Sequence, residues 1–338
     1  MSLVHEHIRY SLVICTYNPE ERILQRCLQA IAALDTTGFN TEVILVDNNC
    51  TIPLISQPYI QAFLRQLPDL HIIAEPQQGV SYARIAAIGA ARGEYIVYFD
   101  YDNEPESSYL QQLNRLHIMY PMVGAWGPGK VQVDFIDGIS PEIEEFARGA
   151  FQQRNERKVN YAFEPDWQPC YPFGTGLCTK AAILKQYAQF ARLGTFTLSG
   201  RKGHLLTSGE DTQMVLLCLR EGYAAGVAPE LQLTHIIPGS RANVAYLRRL
   251  VYGAFACYAP SWLEVFPDLQ EQLERQLMPA SAFSWRALEQ YVLARCSRRP
   301  FKTFQLVEFI ATQAGTYQAL NKPLPPLVRG IIKYLHVA

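Results

Sequence analysis

The chain has 338 residues, 49% hydrophobic and 18% charged, a balance that excludes wholesale disorder. Lys plus Arg number 30 and Asp plus Glu 31, a net charge of -1, so the chain lacks the basic excess of a general nucleic-acid binder. No apolar run approaches the roughly 18 residues of a membrane span, and MSLVHEHIRYSLVICTYN lacks the basic-then-apolar pattern of a secretory leader.

The first half alternates strand and helix. Ile8 to Cys15 is apolar and β-prone, and Asn18-Pro19-Glu20-Glu21 then reads as an N-cap, a proline at the first helical position and acids in the first turn. Leu24, Cys27, Leu28 and Ile31 recur at helical spacing; Glu42 to Val46 is a strand of buried type. A helix is predicted over Ile60 to Leu67, a strand over His71 to Ala74 and an alanine-rich helix over Tyr82 to Ala91. Glu94 to Phe99 is a strand and Ser107 to Met119 a helix. Val123 to Tyr171 reads as irregular, broken by Gly, Pro and charged turns. Thr179 to Arg192 and Asp211 to Glu221 are predicted helices, and ELQLTH, ending at His235, is strand-like. Beyond Arg241 the pattern is helical with repeated prolines. The expected fold class is α/β, a Rossmann-like, mostly parallel sheet flanked by helices. The expected organisation is a catalytic domain over 1–240 and a helical C-terminal extension over 241–338.

In such sheets ligands bind beyond the carboxyl ends of the strands. Those ends carry Thr16-Tyr17-Asn18, Asp47-Asn48-Asn49, Glu75-Pro76 and Asp100-Tyr101-Asp102, so acidic and polar residues gather on one edge. The first strand-to-helix turn has no glycine, which disfavours both a dinucleotide fingerprint and a P-loop. Two carboxylates in one short turn, as at Asp100 and Asp102, suit a hard divalent cation that holds a diphosphate. Gly209-Glu210-Asp211 opens a predicted helix; acids there complement the helix dipole, and a carboxylate on a rigid element can also serve as a general base. The eight cysteines contain no C-x-x-C pair, and Cys15, Cys27 and Cys218 lie in apolar patterns, which points to a reducing, cytoplasmic setting.

Together, SLVICTYN, EVILVDNN, EPQQGVSYAR, ARGEYIVYFDYDNEP, FGTGLCTKAAIL and SGEDTQMVLLCLREGY resemble the family 2 glycosyltransferases of GT-A fold, from about Ile8 to His235. The resemblance implies an inverting transfer from a nucleotide-sugar donor to a glycan or lipid-linked acceptor, assisted by Mn2+ or Mg2+, in cell-surface polysaccharide assembly. It implies that Thr16 and Tyr17 line the base pocket, Asp47 accepts from the base or ribose, and Arg84 meets the diphosphate or orients the acidic cluster. It implies that Asp100 and Asp102 are the D-x-D pair, with Asp102 the direct metal ligand, and that His235 is a third ligand, the other reading of His235 being a buried, hydrogen-bonded histidine. It implies that Asp211 is the catalytic base and that Glu210 supports it or contacts the acceptor. Two departures stand out: Ile85 follows Arg84 where relatives often carry Asn, and Gly174-Thr175-Gly176 replaces the usual G-G or G-N.

A non-catalytic nucleotide-binding partner of the same fold should lack one of the two carboxylate sites, and both are present. A sugar-phosphate nucleotidyltransferase expects a glycine-rich, basic first turn, which Cys15-Thr16-Tyr17-Asn18 does not supply. His5, His7, His71, His117, His204 and His336 show no ligand spacing, and Arg201-Lys202-Gly203-His204 reads as a basic loop able to clamp a phosphate. The four tryptophans are read as core or interface aromatics, with Trp126 and Trp167 flanking the region where an acceptor sugar could stack. From Arg241 onward twelve Lys/Arg stand against six Asp/Glu. Arg248, Arg249, Arg295, Arg298, Arg299, Lys302, Arg329 and Lys333 lie among aromatic and apolar residues there, which supports two readings: peripheral contact with the inner face of an anionic membrane, or a structural subdomain that packs or forms a homodimer.

Overall fold

The structure, a computed structural model, describes residues 7–197, 206–297 and 299–338. His5, Arg298 and the Arg201-Lys202-Gly203-His204 loop lie outside the described residues. In chain order the elements begin with β1 (Ile8–Thr16), α1 (Glu21–Ala32), β2 (Asn40–Asp47), α2 (Pro58–Gln66), β3 (Leu70–Ala74), α3 (Val80–Ala90), β4 (Tyr95–Asp100), β5 (Asn103–Pro105) and α4 (Tyr109–Met119). There follow β6 (Val123–Phe135), α5 (Pro141–Ala150), β7 (Arg154–Asn155), β8 (Asn160–Ala162), β9 (Cys178–Lys180), α6 (Ala181–Arg192), α7 (Glu210–Arg220) and β10 (Ala224–Ile237). The chain ends in α8 (Val244–Val265), α9 (Gln270–Gln276), α10 (Ala280–Ser297), α11 (Pro300–Ala319) and α12 (Pro326–Leu335).

One sheet runs in the order β3-β2-β1-β4-β9-β6-β10-β5, with β7 beside β6 and β8 beside β10. Its first part is parallel: β1 pairs β2 and β4, and β2 pairs β3. These strands are buried runs such as LVICT and EVILVD, as sheets covered on both faces require. The register aligns Thr16 with Asp47 and Cys15 with Asp100, so the carboxyl ends of three strands share one edge. The second part is antiparallel at β4–β9, β6–β9 and β10–β5. The α/β class expected from the sequence is the observed one.

Two local readings are corrected. The stretch from Val123 to Tyr171 is not irregular: it opens with the 13-residue strand β6 and includes α5. Its glycines are packing devices, since a Cβ at Gly124 would come 2.7 Å from the Tyr223 Cβ and one at Gly129 would come 2.6 Å from the Ala228 backbone. Asn18 does not cap α1. It adopts a left-handed φ of 44°, and its side chain accepts from the Thr51 backbone N–H at 2.8 Å, while Glu20 occupies the capping position.

The chain divides into two compact units, Met1–Asp134 with Gln153–Gly194 and Met214–Ile236, and Phe135–Gln152 with Thr195–Gln213 and Ile237–Ala338. The core of the first includes Leu12, Ile14, Val97, Phe99, Leu113 and Trp126, all buried. The second is helical. Its core includes Val251, Phe283, Val307, Ile310 and Val328, and Phe146 of α5 stacks on Phe304 of α11 at 4.0 Å.

Candidate active site

In the first unit the acidic turn is built by a short strand. After β4 the chain turns at Tyr101 and Asp102 and enters β5, which pairs antiparallel with β10 so that Asn103 faces His235. The Ile236 N–H donates to the Asp102 carbonyl at 2.8 Å, locking that register. His235 Nε2 consequently lies 3.6 Å from Asp102 Oδ2, with both residues buried. Asn103, fully buried, donates to Asp102 Oδ1 at 3.1 Å and accepts from the Asp100 N–H at 3.0 Å. It thus orients both ends of the D-x-D turn. Asp100 is more open; its Oδ1 lies 3.8 Å from Arg84 Nη2, and the Thr175 hydroxyl lies 3.5 Å from its Oδ2. The buried Arg84 guanidinium lies 4.9 Å from the Tyr98 ring centroid, which offsets part of its desolvation. Glu104, next along, is held bidentately by Arg26 of α1 at 2.7 and 2.6 Å.

The neighbouring strand ends form a knitted pair of loops. Asp47 accepts from the Cys50 N–H at 2.9 Å through one oxygen and from the Leu54 N–H at 2.8 Å through the other. A carboxylate has about four acceptor positions, so Asp47 organises its loop and retains acceptor capacity. The Thr16 hydroxyl donates to the Val46 carbonyl at 2.9 Å, and Tyr17 is 47% exposed, its ring open for stacking. Asn48, buried, donates to the Glu75 and Gln77 carbonyls and accepts from the Gly79 N–H at 2.8 Å. It thereby fixes the start of α3, the helix that carries Arg84. Gly79 has φ 140°, a conformation that favours glycine.

Glu210 and Asp211 belong to the second unit, in the first turn of α7. Both are buried. Glu210 accepts from the Gly209 N–H at 3.1 Å, and Asp211 Oδ1 accepts from the Thr212 N–H at 2.8 Å and lies 3.5 Å from the Ser208 hydroxyl.

Thr16, Tyr17, Asp47, Arg84, Asp100, Asp102 and His235 all belong to the first unit. Sequence reasoning missed Asn48, Asn103 and Thr175. Each directly follows, or lies inside, a segment read as functional, but an Asn after a strand reads as a turn former. Trp126 is fully buried and offers no face to an acceptor. Trp167 packs against Phe173, ring centroids 5.5 Å apart. His117 is a core residue, its Nδ1 3.1 Å from the Tyr10 hydroxyl and its ring stacked on Tyr95 at 3.8 Å.

Among the described residues no group of three or more His, Cys, Asp or Glu side chains stands ready to hold a metal. The Asp102–His235 pair nonetheless fits a divalent cation. At 3.6 Å the two atoms are too far apart to hydrogen-bond but close enough that one ion, at the roughly 2.1 Å of carboxylate and imidazole ligation, reaches both.

Similarity to a known family covers part of this edge. Residues 11–167 match the family model described as Glycosyl transferase family 2. EpsH of Bacillus subtilis (strain 168), a protein named as a glycosyltransferase, is 32% identical over 107 residues, which is 31% of this chain and 29% of that protein. The Cholesterol galactosyltransferase of Borreliella burgdorferi (strain ATCC 35210 / DSM 4680 / CIP 102532 / B31) is 26% identical over 111 residues, 33% of this chain and 29% of that protein. The matched segment thus spans less than a third of these relatives. Among solved structures, S. aureus TarS 1-349 aligns with a TM-score of 0.47 at 14% identity, covering 93% of this chain and 92% of that one. GalNAc-T7 with UDP, GalNAc and Mn2+ aligns with a TM-score of 0.49 at 13% identity, covering 77% and 51%. The matched stretch, residues 11–167, carries Asp47, Arg84 and the Asp100–Asp102 turn, so this part of the edge lies within the segment similar to glycosyl transferase family 2.

Proposed function

We propose that the protein is an inverting glycosyltransferase that moves a sugar from a nucleoside-diphosphate donor to an acceptor hydroxyl. The observation that carries the reading is the acidic turn whose Asp102 is oriented by Asn103 and set 3.6 Å from His235, within a matched family 2 segment. Tyr17 stacks on the base, and Asp47 accepts from the base or ribose with the capacity its loop leaves it. Arg84 holds Asp100 in place beside the diphosphate. Asp102 and His235, with Asp100 alongside, would hold Mn2+ or Mg2+, which when bound would supply positive charge beside the departing diphosphate. Asp211 takes the proton from the attacking hydroxyl and Glu210 shapes the turn that presents it, so one displacement inverts the anomeric centre. The acceptor is a glycan or lipid-linked glycan of the cell surface, met at an anionic membrane face by the basic, aromatic helices of the C-terminal region.

A panel of UDP-, GDP- and dTDP-sugars, each incubated with and without Mn2+, tests the reading through nucleoside-diphosphate release. One donor should be hydrolysed or transferred in a metal-dependent manner. Absence of release across the whole panel, with and without acceptor glycans, would count against enzymatic transfer.

A further inference from the structure

The segment 206–209 leads into α7 with no regular structure of its own. A coil of that kind keeps its backbone entropy unless neighbours hold it. Here one stripe of α8 supplies the holding points. Gly253, Cys257, Ser261 and Glu264 are spaced by four, four and three residues and therefore share a helix face.

Each meets a successive part of the segment. A Cβ at Gly253 would overlap the Leu206 carbonyl and come 3.0 Å from the Thr207 nitrogen, so the segment lies directly on the helix backbone there. The Ser208 N–H faces the Cys257 sulfur; burial pushes that thiol up to about 11, with the charges of Glu210 and Asp211 adding to the rise. The Ser261 hydroxyl lies 3.3 Å from the Gly209 carbonyl and 2.7 Å from its own Cys257 carbonyl, sharing one proton between them. Glu264 accepts from Gln213 Nε2 at 2.6 Å, from the Thr197 N–H at 3.0 Å and from the Thr197 hydroxyl. Gln213 is fully buried and sits two residues beyond Asp211 on α7. Ascending positions of the segment thus meet ascending positions of the helix, with Glu210 and Asp211 between the third and fourth points. All of these residues belong to the second unit.

We propose that α8 is a positioning element for the reaction: the Gly253–Cys257–Ser261–Glu264 stripe fixes the Glu210-Asp211 turn, with Glu264 the principal positioning residue acting through Gln213. The inference rests on the reading of Asp211 as general base. Proton transfer needs heavy atoms at roughly 2.6–3.2 Å, and a displacement of about 1 Å can cost on the order of a hundredfold in rate. A stability role alone needs no such stripe, since the core of this unit lies in Phe283, Val307, Ile310 and their neighbours.

The test compares Glu264→Ala, Glu264→Gln and Ser261→Ala with the wild-type full chain and with Asp211→Asn, using the donor that the panel selects. Calorimetric titration with UDP, or with the matching nucleoside diphosphate, counts the folded binding sites. Per binding site, Glu264→Ala should lower kcat about 10- to 100-fold with donor KM within about twofold, and Glu264→Gln should recover part of the loss because its amide oxygen still accepts from Gln213. Hydrogen exchange of the 206–214 backbone, which needs no donor, should quicken in Glu264→Ala and less in Ser261→Ala. Wild-type kcat per binding site in Glu264→Ala, or unchanged exchange in that segment, would overturn the positioning role while leaving Asp211 in place. Full turnover by Asp211→Asn would instead remove the base itself, and only that outcome touches the underlying reading.

Discussion

At the scale of single residues, the geometry of the Asp100–Asp102 turn depends on a neighbour that carries no charge. Asn103 donates to Asp102 and accepts from the Asp100 N–H, so it sets the direction of the carboxylate. Outer partners of this kind typically contribute 10- to 100-fold in metal affinity. Asn103→Ala should therefore weaken Mn2+-dependent UDP binding by about tenfold or more while binding without metal stays as it was; calorimetry in the two conditions reads the difference. The two aspartates were legible in the sequence because they terminate a buried strand, but Asn103 was not, since its role depends on β5 pairing with β10. His117 offers a second prediction. Burial first, then the charges of Arg9 and Lys180, hold its imidazole down to about 3, against an ordinary value of 6.5. The unfolded chain binds a proton below about pH 6.5 that the folded chain refuses until near pH 3, so stability falls with decreasing pH across that window, by up to about 1.4 kcal/mol per pH unit. His117→Phe should lose much less stability than wild type between pH 6.5 and 4 in urea titrations. Parallel pH dependence in the two proteins would reject the assignment.

At the scale of elements, the parallel half of the sheet was legible because each strand is an apolar run closed by a polar end. β6 was not. Its VGAWGPGKVQV pattern carries three glycines and a proline, which read as turns, yet the glycines make room for Tyr223, Pro172 and Ala228. α8 was equally opaque in function, because Gly253, Cys257 and Ser261 look like ordinary small residues of a packed helix. The same helix contains Pro260, which cannot donate to the Ala256 carbonyl. Gly315 of α11 comes against that carbonyl so closely that a Cβ would overlap it. Gly315→Ala must push the two helices apart and should cost about 1–3 kcal/mol of unfolding free energy, as other overpacking changes do. Denaturant midpoints check this; an unchanged midpoint would mean that the helix pair yields without strain.

At the scale of the whole molecule, the near-neutral chain hides an uneven charge, with the basic excess gathered after Arg241. No helix among the described residues is long and apolar enough to cross a membrane. Trp285, Phe301 and Tyr334 are 70%, 51% and 52% exposed on α10, α11 and α12, and the Arg295 guanidinium lies 5.7 Å from the Tyr334 ring centroid. Aromatics beside cations suit an anionic bilayer face, where each Lys or Arg contributes about 1 kcal/mol. The protein should sediment with phosphatidylserine-containing vesicles at low salt, less at high salt, and not with neutral vesicles; retention in the supernatant at low salt would make these helices structural only. The central claim, that this edge binds a sugar nucleotide and Asp211 activates the acceptor, is tested most directly by Asp211→Asn, titrated with nucleoside diphosphate and Mn2+ and then assayed for transfer. The account predicts wild-type binding with turnover reduced about 10²–10⁴-fold; turnover near wild type at full binding would contradict it.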